Sequence, residues 1–315
     1  MTRLHLLHGG TLDGSGRRGV ALLDDLAAGI VVRIAPGTFV DIRSWQRATP
    51  GERHVARMEA VLARTSPRLI VAGPSAAAAH GLPWRGEFPE FVTVIDPERA
   101  TGQRRPGLLK LAGRGRSDST LPLGRRSVTA VADTAIDVAL RFPMHTSVPL
   151  LDAVLASRRV DRLDLLDVLQ RRGTRPGSHR ARAAVDFADC RSGSPGESLA
   201  RLVMADVGAP TPVLQQEFHD ADGLIGFVDF WFPEQGWIVE FDGHAKYTED
   251  RFRAGRSPAE VVIDEKRRED RLRATEPVRG VTRLEWRDII RPERVTSRLH
   301  AAAIPLVPVR HRTVR

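Results

Sequence analysis

The sequence predicts an α/β protein of several domains, and three observations carry that expectation. Its 315 residues exceed what one ordinary core organises. Strand-like and helix-like runs alternate along the chain, punctuated by Gly, Pro and Asp. Near the C-terminus, a helical run, three β-prone runs, a long helical run, a fourth strand and a last helix over about 292–303 give an order of α-β-β-β-α-β-α. The expected divisions are a helical and hairpin module over 1–65, a mixed α/β and helical middle over 66–191, a C-terminal domain over 192–308 and a basic tail over 309–315.

The N-terminal module starts with a helix over 19–29, where apolar residues fall at helical spacing and Gly29 stops the run. Two β-prone runs, 30–34 and 38–42, flank the turn at Ala35-Pro36-Gly37. Thr49, Pro50 and Glu52 then open a second helix as a capping box with proline at the first helical position. Helix, hairpin and helix in this order are winged-helix-like, and Arg17, Arg18 and Arg33 flank the arrangement as DNA-binding candidates. Further on, strands are expected near 68–72 and 91–95, with a small-residue helix over 75–80 between them. The Gly- and Arg-rich stretch 101–126 reads as loops between short strands. Helices are expected over 131–142 and 148–171, followed by a basic, glycine-punctuated connector over 171–180 and a break at 191–194.

The single cysteine, Cys190, excludes an intramolecular disulfide and a cysteine-based zinc cluster. The first ten residues hold too short an apolar run for a signal peptide, and no run of 18 apolar residues exists, so the expectation is a cytoplasmic protein without a membrane span. A formal charge of +9 points to an anionic partner, most often nucleic acid. Only three of the 48 basic residues are lysine (Lys110, Lys246 and Lys266), a skew that a GC-rich genome also produces. Two of those three lie in the C-terminal segment that carries the chemistry.

That chemistry follows from alternation. Side chains two apart on a strand share a face, so Glu240 and Asp242 project together, opposite Val239 and Phe241. The turn at 233–236 makes the strand carrying Asp229 an antiparallel neighbour, which brings a third carboxylate to the same place. Clustered carboxylates repel and cost desolvation, whereas a magnesium or manganese ion would neutralise them and activate water for attack on phosphorus. Asp229, Glu240 and Asp242 are therefore the candidate metal ligands and catalytic carboxylates. Glu197 is a further candidate, although the Ser194-Pro-Gly-Glu197 start of its helix is accounted for by capping alone. His244 is a loop histidine, His80 ends a helix, and Lys266, Glu269 and Asp270 can equally be a charged helix face.

Asp229, the ten residues after it and Glu240-Phe241-Asp242 resemble the PD-(D/E)XK nuclease signature. The stretches Val239-Glu-Phe-Asp-Gly-His-Ala-Lys-Tyr247, Asp264-Glu-Lys-Arg-Arg-Glu-Asp-Arg-Leu272 and Arg283-Leu-Glu-Trp286 resemble its very-short-patch-repair-endonuclease-like branch. Upstream, Val32-Arg-Ile-Ala-Pro-Gly-Thr-Phe-Val40, Gly73-Pro-Ser-Ala-Ala-Ala-Ala-His-Gly-Leu-Pro83 and Thr134-Ala-Ile-Asp137 resemble AbiEi-type antitoxin domains, with Asp133 where that pattern carries arginine. The resemblance implies a restriction-endonuclease-like αβββαβ core, metal-dependent cleavage of DNA, and a link to defence or to a partner toxin. Asp242 occupies the position of the signature lysine, so Lys246 or Lys266 is expected to supply the positive charge. The rival expectation is a non-catalytic DNA-binding antitoxin or regulator that keeps a degenerate nuclease fold. A third is a nuclease directed at RNA.

Overall fold

The structure, a computed structural model, describes residues 3–9, 17–243 and 258–307. It is a mixed α/β protein of two compact units, Met1–Ala188 and Asp189–Arg315. Two modules were expected over 1–65 and 66–191; a single unit spans them as far as Ala188, because Met58 and Leu62 enter the same apolar cluster as Leu69, Val71, Val92 and Val94.

The N-terminal unit opens with β1 (Leu7–His8), α1 (Arg17–Ala27), β2 (Val31–Ala35), β3 (Thr38–Asp41), α2 (Ile42–Arg47) and α3 (Pro50–Leu62). Its first sheet has the order β1-β3-β2, all antiparallel. The capping box at α3 is present: Thr49 accepts from the Glu52 amide, and Glu52 accepts from the Thr49 amide. Arg33 is exposed on β2, while the Arg17 and Arg18 side chains lie outside the described ones.

A second sheet follows, built from β4 (Ile70–Val71), β5 (Val92–Asp96), β6 (Gln103–Arg105), β7 (Leu108–Ala112), β8 (Thr120–Leu123) and β9 (Arg126–Thr129), in the order β6-β7-β5-β4-β9-β8. The stretch expected to hold short strands between loops supplies three of its six strands. Helices α4 (Gly73–Ala79), α5 (Val131–Arg141), α6 (Met144–Ala156), α7 (Arg162–Arg172) and α8 (Ser178–Phe187) complete the unit. The helix expected over 148–171 is two helices, separated where Arg158 takes φ 56° and Asp161 caps α7. The start of α8 falls within the expected connector. Its Ala181, Ala184 and Val185 form a buried stripe against Leu140 and Leu151, a short signal hidden behind Gly173, Pro176 and Gly177.

Among the described residues the C-terminal unit has the expected element order, with one short helix added: α9 (Pro195–Asp206), β10 (Val213–Asp220), β11 (Gly223–Phe232), β12 (Trp237–Asp242), α10 (Pro258–Ala274), β13 (Gly280–Glu285), α11 (Trp286–Ile289) and α12 (Pro292–Ala301). The sheet runs β10-β11-β12-β13; the first three strands are antiparallel neighbours, and β12 and β13 are parallel. Alternation explains the layers. Phe230, Phe232, Val239 and Phe241 pack with Leu199, Met204, Val295 and Leu299 of α9 and α12, while Trp231 and Ile238 pack with Leu272 of α10 on the other face. The seat of α9 is close: a Cβ on Gly196 would lie 2.1 Å from the Phe241 ring, so only glycine fits there.

Candidate functional site

Strands β11 and β12 pair at Phe232–Trp237, Trp231–Ile238 and Phe230–Val239, and the ladder stops there. Asp229 and Glu240 are the next residues in register. In place of a strand bond, the Phe241 amide donates to Oδ2 of Asp229 at 2.8 Å. Beyond this splay lies a pocket of about 230 Å³ lined by Asp229, Glu240 and Asp242, with Phe227, Glu265, Arg268 and Arg283 among the other walls. The three carboxylates expected to converge do share this pocket. They belong to the sheet face covered by α10, the face on which Trp231 and Ile238 are buried.

Two arginines answer the carboxylates. Arg283 stands directly across from Glu240 in the parallel β12–β13 register, its Nε 3.9 Å from Oε2. Arg268 approaches from α10, donating from Nη2 to Oε1 of Glu240 at 2.9 Å and to the Phe227 carbonyl at 2.7 Å. Glu265, one turn earlier on α10, accepts from Arg283 at 2.7 Å. Burial pushes the Glu240 carboxyl above its usual range, Arg268 draws it back, and the charges of Asp229 and Glu265 add to the upward push. Burial weakens the charge of Arg268, but Glu240, with Glu265 and Asp229 adding to it, holds the guanidinium above its ordinary value.

Lys266 does not join this group: it is exposed, and a residue two positions from Arg268 points to the other side of the helix, so the cations that line the pocket among the described residues are Arg268 and Arg283. His244 and Lys246 lie outside the described residues. His80 is structural, since its Nε2 bonds the Thr129 carbonyl at 2.8 Å. Glu269 accepts from Arg273 and Arg283, and Asp270 is exposed on α10, so both belong to a charged helix face.

Glu197 both caps its helix and reaches toward the site. Ser194 accepts from its amide, as in a capping box, but the Glu197 carboxylate goes one residue further back and accepts from the Gly193 amide at 2.7 Å. The same Oε2 accepts from Nε2 of Gln215 at 3.0 Å, and Gln215 also stands 3.4 Å from Oδ1 of Asp229. Gln215 lies opposite Asp229 on β10 with φ 51°, a left-handed backbone inside a strand. Gln215 is not legible as a motif residue, and within the stretch 264–272 nothing in the sequence singles out Arg268. Glutamine inside a β-prone run carries no signal, and Arg268 is one of four arginines within seven residues of α10.

Among the described residues, no three His, Cys, Asp or Glu side chains stand as a ready metal-binding group. The donor chemistry nevertheless suits a hard divalent cation, because three carboxylates share one pocket and burial makes Glu240 costly to ionise.

No family model matches the chain. Two uncharacterized proteins of Mycobacterium tuberculosis, MT2308 and Rv2248 from different strains, are each 35% identical to it over 156 residues. That stretch covers 46% of this chain and 58% of each relative, so the chain spans little more than half the length of the relatives it matches. The crystal structure of the RV2827C protein from the same organism has 15% identity and a TM-score of 0.36, covering 68% of this chain and 83% of that one. Among the described residues, no helix is long and apolar enough to cross a membrane.

Proposed function

We propose that the chain is a metal-dependent endonuclease acting on DNA, with a PD-(D/E)XK core of the very-short-patch-repair-endonuclease-like type in its C-terminal unit. The splay of β11 from β12 carries this reading, because it sets Asp229, Glu240 and Asp242 around one pocket in an α-β-β-β-α-β unit. Three carboxylates around one pocket repel one another and cost desolvation, which the Phe241 amide and Arg268 offset only in part. Asp229, Glu240 and Asp242 would hold a magnesium or manganese ion, which would supply a water acidic enough to attack phosphorus near neutral pH.

The chain's own residues do the rest. Arg268 and Arg283 set two positive charges at the pocket wall, where they offset the charge that gathers on the phosphate oxygens during displacement. Arg268 thereby fills the place expected of Lys246 or Lys266. The surplus of +9 and the exposed Arg33 on β2 support backbone contacts to DNA by a winged-helix-like N-terminal segment. The reading places the protein in the cytoplasm, where its substrate is, and a partner toxin of an AbiEi-type antitoxin belongs to the same proposal.

The test is plasmid nicking in magnesium or manganese. Glu240→Ala and Asp229→Ala should each abolish it while the protein stays folded. Nicking that survives in either variant, or no nicking by the wild type with any divalent metal, refutes the reading; cleavage of RNA alone moves the substrate. One observation favours a second reading, a non-catalytic DNA-binding regulator: Glu240 is already paired with Arg268, and no lysine lines the pocket among the described residues. Salt-sensitive DNA binding without nicking would select it.

A further inference from the structure

Gln215 is held in a conformation that its residue type disfavours. A positive φ is unfavourable for a residue with a Cβ, and it persists only where the surroundings impose it. Here the neighbours fix the frame. Leu214 pairs with Phe230 and Gln216 with Val228, so Gln215 faces Asp229 in unbroken register without joining the ladder itself. The side chain shows what the distortion accomplishes. One amide nitrogen lies between two carboxylates, 3.0 Å from Oε2 of Glu197 and 3.4 Å from Oδ1 of Asp229.

Both ends of this bridge are anchored. Glu197 is buried, and its carboxylate accepts from the Gly193 amide at 2.7 Å and the Ser194 hydroxyl at 2.9 Å. It therefore serves as a fixed post at the start of α9. Asp229 accepts from the Phe241 amide through Oδ2, which leaves the rotation of its carboxylate to be set at Oδ1, where Gln215 arrives. A carboxamide suits that location because it donates two hydrogens and brings no charge between two anions. A third carboxylate there would repel both, and a lysine would compete with any cation in the pocket.

Resting on the nuclease reading above, we propose that Gln215 is a positioning residue: with Glu197 behind it, it fixes the orientation in which Asp229 faces the pocket. It touches neither substrate nor the reacting atoms, and acts through Asp229 alone.

Two substitutions separate this role from a purely structural one. Gln215→Met keeps the length and the unfavourable backbone but removes both donors. Gln215→Gly removes the donors and also the conformational penalty, since glycine accepts positive φ readily. The full chain is assayed for plasmid nicking against manganese concentration, and its thermal midpoint is measured with and without manganese. Both variants should nick at least tenfold more slowly than wild type at limiting manganese and need a higher concentration for half-maximal rate. They should differ in stability, with Gln215→Gly melting no lower than wild type and Gln215→Met several degrees below it. The upward shift of the midpoint that manganese gives the wild type should shrink in both. Activity that tracks stability, so that Gln215→Gly nicks like wild type with the same manganese dependence, overturns the positioning role and leaves the nuclease reading standing. Absence of nicking in the wild type overturns both.

Discussion

In each unit two guanidiniums are shared among three carboxylates, and the two groups are arranged differently. In the N-terminal unit, Asp118, Asp133 and Asp137 share Arg116 and Arg172. Arg116 grips Asp118 through two bonds of 2.7 and 2.8 Å, and Arg172 reaches Asp133 at 2.9 Å. All five side chains are nearly sealed from solvent, with Arg116 the most exposed at 12%. In the C-terminal unit, Glu240, Glu265 and Glu269 share Arg268 and Arg283, and four of those five are exposed by a quarter to a third. The first group ties α5 to the end of α7 and to Asp118 before β8, whereas Glu240, Glu265, Arg268 and Arg283 of the second line a pocket. Similar charges thus yield a structural knot where solvent is excluded and a chemically available surface where the sheet splays.

The sharpest way to break this comparison is to remove one cation from each group. Arg172→Met should destabilise the N-terminal unit by about 3–5 kcal/mol, because it strands carboxylates that have no access to water. Peptide-resolved hydrogen exchange across a urea series measures this in the full chain, and a loss below about 1 kcal/mol would mean that the knot is not structural.

Acid gives the next largest effect. His54, stacked on Phe88 and bonded through Nε2 to Ser75 Oγ at 2.8 Å, is held down to about 4 by burial first and by the Arg57 charge second. A depressed histidine stabilises the neutral fold above its unfolded pKa, and that contribution is lost as pH falls through the folded value. The N-terminal unit should therefore lose about 3 kcal/mol from this residue between pH 6.5 and 4. Relative to wild type, His54→Gln should be least favourable near pH 7, and the gap should close on acidification. Glu240 has the opposite sign: its raised carboxyl costs the C-terminal unit stability as pH rises through the folded value, and acid relieves that cost. Parallel pH curves for His54→Gln and wild type would show that the histidine does not set the acid response.

The smallest effect tests the open group. Arg268 is a quarter exposed, so Arg268→Met should cost about 1 kcal/mol or less, and Lys266→Met should stay within about 0.5 kcal/mol of wild type. Thermal unfolding of both variants checks this. A large stability loss in Arg268→Met would make the pocket a second structural knot.

How much of this was legible in the sequence depends on whether a feature is periodic. The sharing of one face by Glu240 and Asp242 follows from the pleat, and the α3 capping box follows from residue types at fixed spacing. Those features depend on nearest neighbours along the chain. Gln215 depends on a backbone angle that no local pattern encodes, and Arg268 depends on which side of α10 meets the sheet. That side is set by Leu272, one turn later, which is buried among Trp231 and Ile238. With so many charged residues on α10, the sequence offers several equivalent faces and only packing chooses among them. The helix α8 was hidden for a similar reason, since its apolar stripe is three residues long and follows a run of turn formers.

The contact between Gly196 and the Phe241 ring makes the start of α9 a gauge block for the strand end that carries the carboxylates. Phe241 separates Glu240 from Asp242 in sequence, and its ring leaves no room for even a methyl group on the helix above it. Any side chain at position 196 would have to lift α9 or turn the ring, and either movement passes to the flanking carboxylates through a single peptide on each side. A residue with no functional group of its own therefore sets the tolerance to which the pocket is built.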